Sequence, residues 1–293
     1  MSNSPQAPGS QPSAGADPLA PLGGLPGVDE AVDSVRRAVD LLYKHRVMRR
    51  RSTEVTAEAV LRGARASAAL AGADWALEEV RRRSDFGVDG QARTVGAALR
   101  VTAEAGQLLP IWRQSPLRVL ARLHLVAAGG VQRPEVPSSG ADAIGRPRLA
   151  GEPVDEPTLP FELPSADEVS ARLESLAELI VAGSSAPALV TAAVVHGELL
   201  ALRPFVSHNS LVARAAERVV LVGSGLDPKS ICPAEVGHQE AQSEDGGYLG
   251  AFEGYLSGTP EGVGAWIVHC GRSVRLGARE STAVCEAMQR GAA

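Results

Sequence analysis

Arg203, Ser207, His208, Asn209, Ser210 and Arg214 fall within one short run of the chain, residues 203 to 214. Two guanidiniums, an imidazole, two hydroxyls and a carboxamide at that density suit an anion. Asn209 and Ser210 stand where a helix is predicted to begin, and a helix N-terminus presents unpaired N–H groups to negative charge. Arg214 follows one turn on, and Arg203 adds positive charge from before the loop. The ligand class such a run fits is a phosphate or a nucleotide. His208 is the better candidate base here. His196 precedes Arg203 by about two turns, roughly 10 Å along a helix axis, which is too far to act at the loop.

The elements that must position these residues read as helix, short loop, helix. Ala192, Val195, Leu199 and Leu202 recur at helical spacing. Pro204 disfavours the α region for Arg203 and so ends that helix. Ser207 and Asn209 are suited to cap the next helix through their side-chain oxygens. Leu211, Ala215, Val219 and Val222 carry the stripe onward until Gly223 and Gly225 stop it.

This stretch resembles the signature of the Fic (Fido) family, HPFx(D/E)GNGRxxR, whose members transfer nucleotidyl groups such as AMP to protein hydroxyls. Pro204, Phe205, Asn209 and Arg214 match. Arg203 stands at the position of the catalytic His, Ser207 at that of the acid, His208 and Ser210 at the two glycines, and Leu211 at the first arginine. The resemblance implies an all-α, Fic-type bundle with a small β-hairpin flap, and a damaged active site. In the family the His takes the proton of the target hydroxyl; a guanidinium stays charged and accepts no hydrogen bond. The family's acid holds Mg²⁺ on the phosphates of ATP, and a serine hydroxyl is a poor ligand for so hard a cation. The glycines let backbone N–H groups wrap the phosphate, which side chains resist, although His does visit such backbone angles.

Two readings of the run therefore stand side by side. In one, the loop still binds a phosphate or nucleotide, with Mg²⁺ in doubt. In the other, Arg203 and Arg214 pair with acids such as Glu198 or Glu217. The leading expectation is a catalytically impaired pseudoenzyme that works by binding. The alternatives are a divergent AMP transferase using His208, and a helical nucleic-acid-binding module.

Composition bounds these readings. Hydrophobic residues make up 44% of the 293 residues but aromatic residues only 3%, so Ala, Val and Leu must fill the core, which favours close-packed helices. A net charge of -5 gives no global pull toward nucleic acid or an acidic membrane. Arginine clusters at 46 to 51 and 81 to 83 lack interleaved aromatics and read as solvated helix ends. Only Lys44 and Lys229 are lysines, which fits a GC-rich, bacterial source. Cys232, Cys270 and Cys285 are widely spaced and read as buried thiols, with no metal-ligand pattern. No apolar run reaches the roughly 18 residues that span a bilayer. A secretion signal is not visible either, so a cytoplasmic location is expected.

Taken in order, residues 1–27 are rich in Pro, Gly and Ser and read as a disordered tail. Residues 28–114 form an N-terminal helical region, with helices over 28–48, 54–83 and 91–109. Within it, Ser67 to Gly72 occupies the place of the family's inhibitory motif, (S/T)xxxE(G/N), whose glutamate blocks productive ATP placement by pairing with the last arginine of the signature. Ala71 stands at the glutamate position. Residues 115–290 resemble the Fic domain. Helix 115–128 carries His124, read as structural. The flap is expected at about 140–163, weakened by Pro147 and Pro153; its free edge would hold an extended protein partner. Ser165 and Glu168 form a capping box. A helix led by Tyr248 and one over 263–284 bearing Trp266 follow. Fic proteins often dimerise, so a homo-oligomer is also open.

Overall fold

The structure is a computed structural model and describes residues 17–129, 142–241 and 246–291. Among the described residues twelve α-helices form: α1 Val28–Lys44, α2 Met48–Leu70, α3 Leu77–Arg82, α4 Gly90–Ala105, α5 Leu109–Trp112, α6 Pro116–Ala127, α7 Ala166–Ala182, α8 Ala188–Leu202, α9 Asn209–Gly223, α10 Ala234–Glu240, α11 Gly247–Leu256 and α12 Pro260–Arg290. No strand forms among the described residues; one isolated parallel bridge joins Asp155 and Ser207. The expected flap hairpin is therefore absent over 142–163. Residues 130–141, where the irregular stretch begins, lie outside the described residues.

The helix α8 is the centre. The sequence pattern assigns it one apolar stripe, yet twelve of its residues are buried, including His196, Val194 and Leu200 on other faces. A helix that is apolar all round belongs in the middle of a core. It packs against α9, α12, α7 and α11. The long α12 starts at a capped turn, where Thr259 Oγ1 accepts from the Gly262 N–H at 3.2 Å, and runs against α1, α10 and α11.

With so few aromatics, close helix contacts rest on small residues. A Cβ at Gly237 of α10 would lie 2.2 Å from the Ser273 carbonyl oxygen of α12, so only glycine permits that approach. Trp266 is fully buried and its indole N–H donates to the Ala193 carbonyl at 2.8 Å, tying α12 to α8.

Two boundaries differ from expectation for local reasons. Residues 17–27, placed in the tail, carry a 3-10 turn over Ala20–Gly24 and a buried Leu19, and Asp17 accepts hydrogen bonds from Ser184 and Ser185. The arginines 49–51 sit at the start of α2, not at the end of α1. Arg51 pairs there with Glu54, while Arg81 pairs with Glu58, and Arg83 lies 4.6 Å over the Trp75 ring. No helix among the described residues is long and apolar enough to cross a membrane.

Candidate functional site

The loop between α8 and α9 is held by two residues in the left-handed region. Arg203 ends α8 at φ 40°, and His208 precedes α9 at φ 59°. His208 thus adopts a backbone a glycine would favour, and its Nδ1 sits 2.8 Å from Ser207 Oγ. Between them Phe205 is buried and stacks on His124, centroids 4.3 Å apart. His124 is structural, as expected: its Nδ1 accepts from the Gly145 N–H at 3.0 Å, and burial pulls its pKa down to about 3.

Neither expected cap forms. Asn209 is the first residue of α9, and its carboxamide turns back on the loop. Its Oδ1 accepts from the Phe205 N–H and its Nδ2 donates to the Phe205 carbonyl, both at 2.8 Å. Asn209 thus staples the loop shut and has no side-chain group left for the helix end.

That end is served by a residue the sequence reading did not single out. Glu156 accepts from the Asn209 N–H at 2.7 Å through Oε2 and from the Ser210 hydroxyl at 2.6 Å through Oε1. A carboxylate therefore sits where the helix dipole and N–H groups would hold an anionic ligand. Burial raises the Glu156 pKa, opposed by Ser210, Arg214 and Asn209.

The stretch carrying Glu156 is sewn to the loop along its length. The Arg148 N–H donates to the Pro204 carbonyl at 2.7 Å, and the Asp155 N–H to the Val206 carbonyl at 2.8 Å. Arg203 reaches the other way. Its guanidinium donates to the carbonyls of Leu159 at 3.1 Å, Phe161 at 2.9 Å and, by a still shorter contact, Glu162. Burial lowers its pKa, but no proton acceptor is created.

Arg214 is fully buried and donates to Ser67 Oγ at 2.8 Å and to the Ser67 carbonyl at 2.9 Å, with Ser210 Oγ at 3.4 Å. The end of α2 therefore lies against Arg214 through the hydroxyl and carbonyl of Ser67. The expected acid pairings do not occur. Glu198 binds Arg172 and the Tyr255 hydroxyl, and Glu217 lies against His196 and His238. Beside Ser210 and Arg214 opens a cleft of about 300 Å³, walled by Leu70, Thr158, Leu159 and Tyr248. Thr158 Oγ1 is buried without a hydrogen-bond partner. The structure thus brings Arg203, Ser207, His208, Asn209, Ser210 and Arg214 to one loop, with Arg203 and Arg214 facing different partners. Arg203 points to the segment 159–162 and Arg214 to α2.

The same overall fold is found in solved structures. A Fic family protein from Desulfovibrio desulfuricans G20 superposes with a TM-score of 0.67 at 17% identity, over 88% of this chain and 75% of that one. Fic-1 from C. elegans superposes with a TM-score of 0.60 at 15% identity, over 87% of this chain and 71% of that one. The chain has the Fic fold. No protein-family model matches the sequence. Nor does any curated protein match it. At these identities the likeness extends to the fold and not to the chemistry.

The missed residues share a cause. Glu156 and Arg148 lie in an irregular stretch, where no periodicity marks a side chain as facing the loop. The only local signal was the acid and base content of a segment expected to be a flap.

Proposed function

We propose that this Fic-fold protein carries out no nucleotidyl transfer and acts by binding, with its own Glu156 seated as the anion at the head of α9. The observation that carries this reading is the pair of hydrogen bonds from Asn209 and Ser210 to Glu156, at 2.7 and 2.6 Å. Three further features support it. Arg203, at the position of the family's catalytic His, is spent on three carbonyls. Ser207 offers no charge for Mg²⁺. The backbone edge that would clamp a target's chain donates instead to Pro204 and Val206. A phosphate-bearing ligand in the cleft reaches the Asn209 N–H and the Ser210 hydroxyl only by displacing the carboxylate; a protein partner would meet the outer side of the segment 148–162.

The second reading is a divergent transferase. It draws on Glu156 as well, because that carboxylate is an acid near the loop able to hold Mg²⁺ while His208 serves as base. The two readings predict opposite effects of one substitution. Under the first, ATP, with or without Mg²⁺, leaves the melting temperature of the wild type unchanged, and Glu156→Ala gains nucleotide stabilisation that Arg214→Ala abolishes. Under the second, the wild type is stabilised by Mg²⁺–ATP, Glu156→Ala loses that effect, and label from α-phosphate-labelled ATP passes to protein unless His208 is changed to Ala. Label transfer by the wild type that is lost in His208→Ala rejects the first reading.

A further inference from the structure

Behind the signature loop, four helices send one side chain each to a single buried point. His196 comes from α8, Glu217 from α9, His238 from α10 and Cys270 from α12. Their ligating atoms all lie within 4.8 Å of one another. None of the four is more than 1% exposed. Glu217 Oε2 lies 2.9 Å from His196 Nδ1 and 3.1 Å from His238 Nε2.

Two features of this cluster are unsatisfied by protein alone. Glu217 Oε1 is buried with no hydrogen-bond partner, and His196 Nδ1 makes no aligned hydrogen bond despite its nearness to Oε2. A buried carboxylate with an orphaned oxygen is costly unless a positive charge answers it.

The outward-facing ring nitrogens are, by contrast, well held. His196 Nε2 lies 2.8 Å from the Tyr248 hydroxyl; His238 Nδ1 lies 3.0 Å from both His269 Nε2 and Ser273 Oγ. One nitrogen turned inward and the other fixed by an outer partner is the arrangement of metal-ligating histidines. We propose that His196, Glu217, His238 and Cys270 form a closed, four-coordinate structural site for a zinc-class divalent cation. The two-nitrogen, one-oxygen, one-sulfur donor set suits a tetrahedral borderline-soft ion over Mg²⁺ or Ca²⁺. Metal–ligand bonds of about 2.0 to 2.3 Å at tetrahedral angles place donor atoms roughly 3.3 to 3.7 Å apart, within reach of small side-chain shifts here. Binding would release the Cys270 thiol proton to solvent. The thiolate and the Glu217 carboxylate then balance the two positive charges.

Such an ion would cross-link the core directly behind the loop. Glu217 follows Arg214 by one turn of α9, and Tyr248, whose hydroxyl meets His196, also walls the cleft beside Arg214. Linear spacing gives no sign of the site, because each ligand comes from a different helix.

The test uses the full chain, purified without a metal-affinity tag or chelator, and its metal content measured by inductively coupled plasma mass spectrometry. About one zinc ion per chain is expected, held through dialysis against EDTA and lost only when the protein is unfolded with chelator. Refolding with Co²⁺ should then give a thiolate-to-cobalt charge-transfer band and tetrahedral visible bands. Cys270→Ser should remove the charge-transfer band, and Cys285→Ser should keep it. Should Cys270→Ser not fold, the wild-type metal content and the wild-type and Cys285→Ser cobalt spectra still decide the matter. A folded wild-type chain that carries no zinc and takes up neither Zn²⁺ nor Co²⁺ on refolding overturns the proposal and leaves a hydrogen-bonded His–Glu–His network.

Discussion

Arg203→Ala tests whether Arg203 is a structural clasp between the loop and the segment 159–162. Its side chain, 4% exposed, donates to three backbone carbonyls. Hydrogen bonds from a charged donor contribute about 1.5 to 3 kcal/mol each. The Phe161 and Glu162 carbonyls would regain water on truncation and the cost of burying the guanidinium would vanish. These offsets reduce the sum, so the expected loss is about 3 kcal/mol. A second substitution isolates the backbone. Arg203 sits at φ 40°, where a side chain costs about 1.5 kcal/mol that glycine avoids. Glycine's extra freedom in the unfolded chain returns about 0.7 kcal/mol. Arg203→Gly should therefore be more stable than Arg203→Ala by about 0.8 kcal/mol while still well below the wild type. The assay is equilibrium urea denaturation followed by tryptophan fluorescence, with unchanged m-values confirming that only stability moved. A wild-type midpoint for Arg203→Ala would falsify the clasp. So would a glycine variant less stable than the alanine variant.

Three other outcomes follow from the same geometry. Gly237→Ala puts a Cβ 2.2 Å from a backbone carbonyl that has no side-chain freedom to yield; α10 must move off α12, with a loss of about 3 kcal/mol or more in the same denaturation assay. Arg218→Ala strands the buried Glu235 carboxylate, now held at 2.9 and 2.7 Å, and should cost about 3 to 5 kcal/mol, whereas a surface pair such as Arg279–Glu240 should cost under about 1 kcal/mol. His124 has a pKa lowered by burial, and by the facing His208, from 6.5 to about 3. The unfolded chain takes the proton first as pH falls, so the His124 contribution is full above about pH 6.5 and drains away toward pH 3. Between pH 7.5 and 5.5 it should lose about 1.4 kcal/mol, and His124→Gln should be shallower than wild type by that amount. Parallel stability–pH curves for the two proteins would remove the buried-neutral assignment.

The parts of this fold that were legible are those written in local chemistry. Ser165 accepts from the Glu168 N–H at 3.2 Å and opens α7 as the capping-box spacing implies. Pro204 stops α8 two residues before it, at Leu202, and Gly183 ends α7 at φ 74°. The order of helices from α6 to α12, with the exception of the short α10, followed from periodicity together with the resemblance. What stayed hidden is long-range. Asn209 has the right chemistry for a cap, but its amide is drawn four residues back to Phe205 instead. Nothing near Glu156 in sequence shows that its partners lie at 209 and 210. The quartet of His196, Glu217, His238 and Cys270 was invisible for the same reason, and the short helix α10 that supplies His238 lies in a stretch without a strong apolar period.

The residues of the loop form a consistent set. A loop not built for its present state should leave buried polar groups without partners. Here the Arg203 guanidinium finds three carbonyls, leaving only its Nε without a partner. Ser207 bonds with His208, and His208 takes the left-handed backbone that a side chain ordinarily resists. Ser210 donates to Glu156, and Leu211 is buried at 1% exposure. A neutral residue at 207 also leaves no second carboxylate on the loop to repel Glu156 as it docks on α9. Each of these residues therefore favours the same state, in which the segment 148–162 is folded down on the loop. Under the proposed binding role, Arg203→His should accordingly produce no nucleotidyl transfer. It would free the three carbonyls and leave Glu156 in place, so the expected result is a less stable protein with no label transferred from ATP. Appearance of transfer in that single variant would show that the closed state opens readily, and that Glu156 is a weak occupant of the α9 N-terminus.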